Sequence, residues 1–120
     1  MSTASAIRSK VLLANDIGSK LMEVPEWGVT IEVRSMTAKE RAYVQMASRN
    51  EDGEPNLDRL YPLLVIYSAY DPESGERIFD EGDVGALATK NGKVMEELAS
   101  VAMTISGMNE DAVDAAAGNS

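Results

Sequence analysis

The segment from residue 57 to residue 70 has the highest density of apolar residues in the chain, so it dominates what the sequence can fold into. One helical face would carry Leu57, Leu60, Tyr61, Leu64, Tyr67 and Ser68. We interpret the segment as a central helix. Because an interior proline costs ~3 kcal/mol, Pro62 predicts that the main helix starts at or just before that residue. The β-branched pair Val65 and Ile66 leaves a strand as the alternative.

A β-hairpin is predicted N-terminal to this helix. Residues 21–24 are followed by a turn signal at residues 25–28 and by strict alternation of apolar and polar residues from Val29 to Arg34. Val29, Ile31 and Val33 would then point to one face of the hairpin. Two strands alone are marginally stable in water, so helices must cover that face.

Further helices are indicated on both sides of the central segment. Thr37 and Glu40 have the spacing of a capping box, which predicts a helix over residues 38–49, followed by a loop at 50–55. Residues 94–105 form the clearest amphipathic pattern, and Gly107 stands where a helix end favours a left-handed residue. Weaker patterns predict helices over residues 7–14, 84–90 and 110–117, and a turn at 71–75.

These elements predict one small α+β domain over residues 1–120, mostly helical, in which an N-terminal β-hairpin packs with about four helices. Residues 1–6 and 118–120 are expected to fray. No apolar run approaches the ~20 residues of a membrane span, and we expect neither membrane binding nor a signal peptide, which places the protein in the cytoplasm.

Cysteine and histidine are absent from the sequence, which removes thiol nucleophiles, most zinc sites and the commonest general base. The carboxylates crowded between Asp71 and Asp83 are interpreted as turn and cap residues. Calcium loops centred on Gly53 or Gly82 lack a carboxylate at either end. We therefore expect no enzyme activity, no catalytic residue, no cofactor and no metal site.

The charge is unevenly distributed along the chain. Residues 1–49 hold 7 Lys and Arg against 5 Asp and Glu, whereas residues 50–120 hold 4 against 15, which together give the net charge of −9. This balance disfavours nucleic acid as a partner. The asymmetry indicates either complementary surfaces for self-association or a basic client, or simply a solvated acidic face.

Protein binding is the class of function that remains. The side chains most suited to contact a partner protein are flexible or aromatic ones. Methionine suits surfaces that adapt to a partner, so Met46, Met103 and Met108 are candidate partner-binding residues, whereas Met95 lies on the predicted buried stripe. Trp27 at the hairpin tip is a fourth candidate, with folding back onto the core as the alternative.

Three stretches, in this order, resemble the tail assembly chaperones of long-tailed double-stranded-DNA bacteriophages. The first is Val24-Pro25-Glu26-Trp27-Gly28, followed by the alternating strand and Met36-Thr37-Ala38-Lys39-Glu40-Arg41. The second is the apolar segment running into Tyr70-Asp71-Pro72-Glu73-Ser74-Gly75-Glu76, with Phe79 just after. The third is Ala102-Met103-Thr104-Ile105-Ser106-Gly107-Met108, where Ile105 and Met108 replace the leucines expected in that family.

This resemblance implies a non-enzymatic protein that acts in the host cytoplasm during phage tail assembly. It would bind the tape measure protein and assist polymerisation of the tail tube around it. Further implied partners are the tail tube protein and a longer, frameshifted form of the same chain, and a homo-oligomer is possible in this scheme. The alternative is a structural minor tail or connector subunit retained in the virion.

Overall fold

The computed structural model describes residues 2–108, so the helix expected at 110–117 and the fraying expected at 118–120 lie outside the described residues. The described chain contains, in order, α1 (Thr3–Leu13), β1 (Ser19–Val24), β2 (Val29–Arg34), α2 (Ala38–Ala47), α3 (Leu57–Ser68), β3 (Ala69–Tyr70), α4 (Val84–Leu87) and α5 (Gly92–Ile105). A 3₁₀ turn at Glu81–Asp83 leads into α4. The predicted α+β fold is confirmed. The described residues contain five α-helices rather than about four, and α1 precedes the hairpin that was expected at the N-terminus. About half of the chain is helical, less than the mostly helical domain that was predicted.

The sheet is antiparallel in the order β1-β2-β3. Its hairpin is the predicted one, with Val24 opposite Val29 at the turn and Ser19 opposite Arg34 at the far end. Strand β3 was not predicted, and it pairs Ala69 with Val33. The strand directly continues α3, so the chain passes from helix to sheet edge without a connecting loop.

The core lies between α3, α5 and the inner face of the sheet. Helix α3 packs on α5, on α2 and on β2, and α5 also packs on β2. The largest side chains with almost no exposed surface are Ile31, Val33, Val44, Leu63, Leu64, Val65, Ile66 and Ser68. As a result α3 is buried on most sides from Pro62 onwards, as expected of a central helix.

The predicted start of α3 was wrong. The helix begins at Leu57 and includes Pro62 in its interior. Its first turn is held by Asn56, whose side chain accepts a hydrogen bond from the Asp58 N–H at 3.0 Å and whose carbonyl accepts one from the Leu60 N–H at 2.9 Å. This cap and the burial of Pro62 itself offset the hydrogen bond that the proline removes.

Helix α2 has the predicted capping box, because Thr37 accepts from the Glu40 N–H while Glu40 accepts from the Thr37 N–H. Val44 is the only buried residue of α2, whereas Met46 is 71% exposed. The helix therefore packs on the core through Val44 and the partly buried Ala47, and it leaves Met46 on the surface.

Helix α1 begins at Thr3, inside the segment expected to fray, with the Ser2 hydroxyl accepting from the Ser5 N–H at 3.1 Å. All of its residues are exposed. The Ser35 N–H donates a hydrogen bond to the Gly18 carbonyl at 2.9 Å. This backbone contact lies directly before the first residue of β1, after the exposed helix α1.

Candidate protein-binding surfaces

An apolar groove lies beside the tip of the hairpin, between β2 and the loop that follows β3. We call it the tip groove. Its volume is about 630 Å³. The residues that line it are Trp27, Val29, Thr30, Ile31, Asp71, Pro72, Glu73, Ile78 and Phe79. Its walls are mainly apolar, and the ionisable groups that line it are both acidic.

The hairpin turn places Trp27 in this groove. The Trp27 N–H donates to the Val24 carbonyl at 3.0 Å, and Gly28 adopts a φ of +67° that favours glycine. Trp27 is half-buried and packs against the edge of the core. Trp27 therefore packs against the core, as the alternative interpretation expected, and it also lines the groove. Its role as a binding anchor stays a prediction.

The opposite wall is the tight turn after β3. The Asp71 carboxylate accepts hydrogen bonds from the Glu73 N–H at 2.9 Å and the Ser74 hydroxyl at 3.0 Å. These bonds, the Glu73 N–H first, lower the pKa of Asp71 from its ordinary value. Gly75 closes the turn with a φ of +76°. Asp71 therefore stays ionised at neutral pH on the rim of the groove.

A cluster of aromatic and charged side chains fixes this loop to the helices. The rings of Tyr43 and Tyr67 meet edge-on with centroids 5.6 Å apart, and the Arg77 guanidinium lies 4.9 Å from the Tyr67 centroid. Arg77 also forms an ion pair with Glu40 at the start of α2. The loop that carries Ile78 and Phe79 is thus held against α2 and α3.

Glu81 joins the same cluster, because the Tyr67 hydroxyl donates to its Oε1 at 3.2 Å. Burial and the negative charge of Glu81 raise the pKa of Tyr67, and Glu81 raises the pKa of Tyr43 mainly through hydrogen bonding. Both phenols therefore remain neutral at physiological pH, where they offer apolar surface and the Tyr67 hydroxyl also donates a hydrogen bond.

The four predicted partner-binding residues do not form one site. Trp27 lines the tip groove, Met46 is exposed on α2, and Met103 is half-buried on α5. Met108 is only 3% exposed and belongs to the core, where it fills space after the end of α5. Its placement corrects the expectation that it offers an adaptable surface, because a buried side chain is not available to a partner.

Sequence reasoning missed Val29 and Ile78 as groove residues. Both are large apolar side chains with substantial exposure, 48% and 41% respectively. The signal for Val29 was present, because the alternating strand put it on the same face as Ile31 but next to the hairpin turn. Nothing in the local sequence indicates that Ile78 lies across the groove from it.

Among residues 2–108, no group of three or more acidic side chains is arranged to hold a metal ion. In the same part of the chain, no helix is long and apolar enough to cross a membrane. The tip groove and the exposed apolar side chains are features of the described surface that suggest a function.

Comparison with known proteins identifies the fold. No protein-family model matches the sequence, and no curated protein matches it. Among solved structures, the bacteriophage HK97 tail assembly chaperone superimposes with a TM-score of 0.60 at 20% sequence identity, covering 84% of this chain and 94% of that chain. The protein therefore has the fold of the bacteriophage HK97 tail assembly chaperone.

Proposed function

We propose that this protein is a non-enzymatic phage tail assembly chaperone, which binds the tape measure protein and assists assembly of the tail tube around it. The observation that carries the proposal is the agreement of fold with the HK97 chaperone over most of both chains. The absence of cysteine and histidine from the sequence supports a role without catalysis. The protein would act in the host cytoplasm, with the tail tube protein and a longer frameshifted form of itself as further partners.

Exposed, adaptable side chains on α2 are the surface that we assign to the client. Met46 is 71% exposed, and Tyr43 is 37% exposed one turn before it on the same helix. A thioether on an unbranched chain adapts to varied apolar partners, and a tyrosine adds apolar area with a polar tip. Met103 on α5 is a further candidate contact. Such a surface suits a long amphipathic client whose apolar stripe would otherwise aggregate.

Co-expression with the tape measure protein of the same phage tests this function. We expect the soluble yield of the tape measure protein to rise and the two proteins to co-purify. An insoluble tape measure protein with no complex would contradict the proposal. Purified virions provide a second readout, because mass spectrometry should find this chain absent or strongly depleted. A fixed copy number per particle would instead support a structural tail subunit.

A matched pair of variants tests the α2 surface. Met46→Glu places a charge on the exposed methionine, and Gln45→Glu adds the same charge to the exposed neighbouring residue. We expect Met46→Glu to reduce co-purification of the tape measure protein by about tenfold, equivalent to ~1.4 kcal/mol, and Gln45→Glu to reduce it little. Equal retention in both variants would exclude Met46 from the client surface.

A further inference from the structure

Helix α1 carries a narrow apolar stripe with a basic residue on each side. At 100° per residue, Ile7 and Val11 lie one turn apart on the same face, with Arg8 on one flank of the stripe and Lys10 on the other. Ile7 is 57% exposed and Val11 is 64% exposed. Within the described residues, α1 buries no side chain against any other element. An exposed apolar stripe of this kind is typical of a contact surface.

The tip groove has the complementary chemistry. Exposed parts of Val29 and Ile78 offer apolar surface of the kind that would receive two branched side chains. Its charged lining consists of Asp71 and Glu73, with neither lysine nor arginine among the lining residues. Arg77, the basic residue next to Ile78 in the chain, is turned to Glu40 and Tyr67 instead. The groove thus matches an apolar ligand flanked by positive charges.

We propose that α1 of one copy of this protein docks into the tip groove of a second copy. The apolar stripe would cover Val29 and Ile78, while Arg8 and Lys10 would approach the acidic rim. The charge distribution favours this occupant, because α1 carries two basic and no acidic residues whereas residues 50–120 carry 4 basic and 15 acidic ones. The contact is heterologous, so each copy donates one helix and accepts another. This inference goes beyond the proposed client binding and does not depend on it.

Sedimentation velocity of the full chain tests the contact. We expect the wild type to form oligomers whose population rises with protein concentration and falls with salt, because screening weakens the charged contacts. The double substitution Ile7→Asp with Val11→Asp removes the stripe, and Ile78→Asp places a charge in the groove. Each variant alone should be monomeric. Leu57→Asp is the control, since Leu57 is 55% exposed and lies outside the groove, and it should associate like the wild type.

Mixing the two defective variants gives the most specific readout. The Ile7→Asp/Val11→Asp chain keeps an intact groove, and the Ile78→Asp chain keeps an intact α1. An equimolar mixture should therefore form one-to-one pairs that neither variant forms alone. Absence of pairs in the mixture overturns the proposal, as does wild-type association in either variant. Circular dichroism checks that each variant is folded.

Two other outcomes also overturn the proposal. If the wild type stays monomeric up to high concentration, α1 does not bind a second copy. The remaining candidates to bind α1 would then be the client or residues 109–120 of the same chain. Loss of tape measure co-purification in the Ile7→Asp/Val11→Asp variant, without any change in self-association, would assign α1 to the client. Conversely, a failed co-expression experiment with intact self-association would contradict the proposed function alone.

Discussion

Helices α1 and α5 are similar in length and in apolar content, but α1 is exposed to solvent whereas α5 packs in the core. The large apolar residues of α1, Ile7, Val11, Leu12 and Leu13, are 57% to 85% exposed, whereas α5 buries Val94, Met95, Leu98, Ala99 and Ala102. The difference arises from spacing. The apolar residues of α5 recur on one stripe, while Leu12 and Leu13 lie away from the Ile7 and Val11 stripe. Apolar content alone therefore does not determine which helix stabilises the fold.

The largest expected difference between the two helices concerns matched leucine truncations. Leu98→Ala in α5 removes a side chain that is 2% exposed and should cost about 2–5 kcal/mol in the free energy of unfolding. Leu12→Ala in α1 makes the same chemical change at a residue 64% exposed and should change that energy by less than about 0.5 kcal/mol.

Urea denaturation followed by circular dichroism measures both changes, at concentrations low enough that the chain is monomeric. A cost for Leu12→Ala that approaches the cost for Leu98→Ala would show that α1 is part of the cooperative unit.

The next effect concerns how the two helices end. After α5, Gly107 has a φ of +73°, a conformation that costs other residues roughly 1–2 kcal/mol. Helix α1 ends at Leu13, and the residue that follows it, Ala14, has an ordinary φ of −69°. We expect Gly107→Ala to destabilise the protein by about 1–2 kcal/mol through backbone strain, because a Cβ there would meet its nearest atom, Arg41 Nη1, at a comfortable 3.6 Å.

Gly92→Ala is the control for this substitution. Gly92 opens α5 without a positive φ, and a Cβ there would meet nothing within 4 Å. Alanine should therefore be neutral or stabilise the helix by up to ~1 kcal/mol. Equal urea midpoints for the two variants would contradict the role of the left-handed end.

Elements with a strong local signal were predictable from the sequence. Alternation gave the hairpin, a capping box gave α2, and periodicity with Gly107 gave α5. Strand β3 was missed because Ala69 and Tyr70 continue an apolar helical segment, and only pairing with β2 makes them a strand. The start of α3 was missed because the prediction used only the general energetic cost of an interior proline. It did not include the stabilising N-cap at Asn56, which allows the helix to begin before Pro62.

The candidate surfaces were less predictable because they depend on tertiary packing. The sequence singled out Trp27 but could not show that Phe79 and Ile78 would line the same groove, since those residues are distant in the chain. Met46 lies in the last turn of α2 and Met108 lies just after the end of α5, and the two are the same residue type. The structure exposes one and buries the other, and composition carries no information on that difference.

The smallest expected effect compares the N-caps of the two helices. The Asn91 side chain accepts hydrogen bonds from the Lys93 and Val94 N–H groups at 2.9 and 3.2 Å, and Asn91→Ala should cost about 1 kcal/mol in the free energy of unfolding. Ser2 caps α1 in a similar way, through the Ser5 N–H at 3.1 Å.

Because an isolated helix shorter than ~12–15 residues is marginally stable in water, α1 should melt locally before the domain unfolds. Ser2→Ala should therefore leave the urea midpoint unchanged while it accelerates amide hydrogen exchange in α1 at low protein concentration. A lower urea midpoint for Ser2→Ala would place α1 in the same cooperative unit as α5. If α1 docks on a second copy, its protection from exchange should instead rise with protein concentration, because an oligomer contact stabilises only the docked helix.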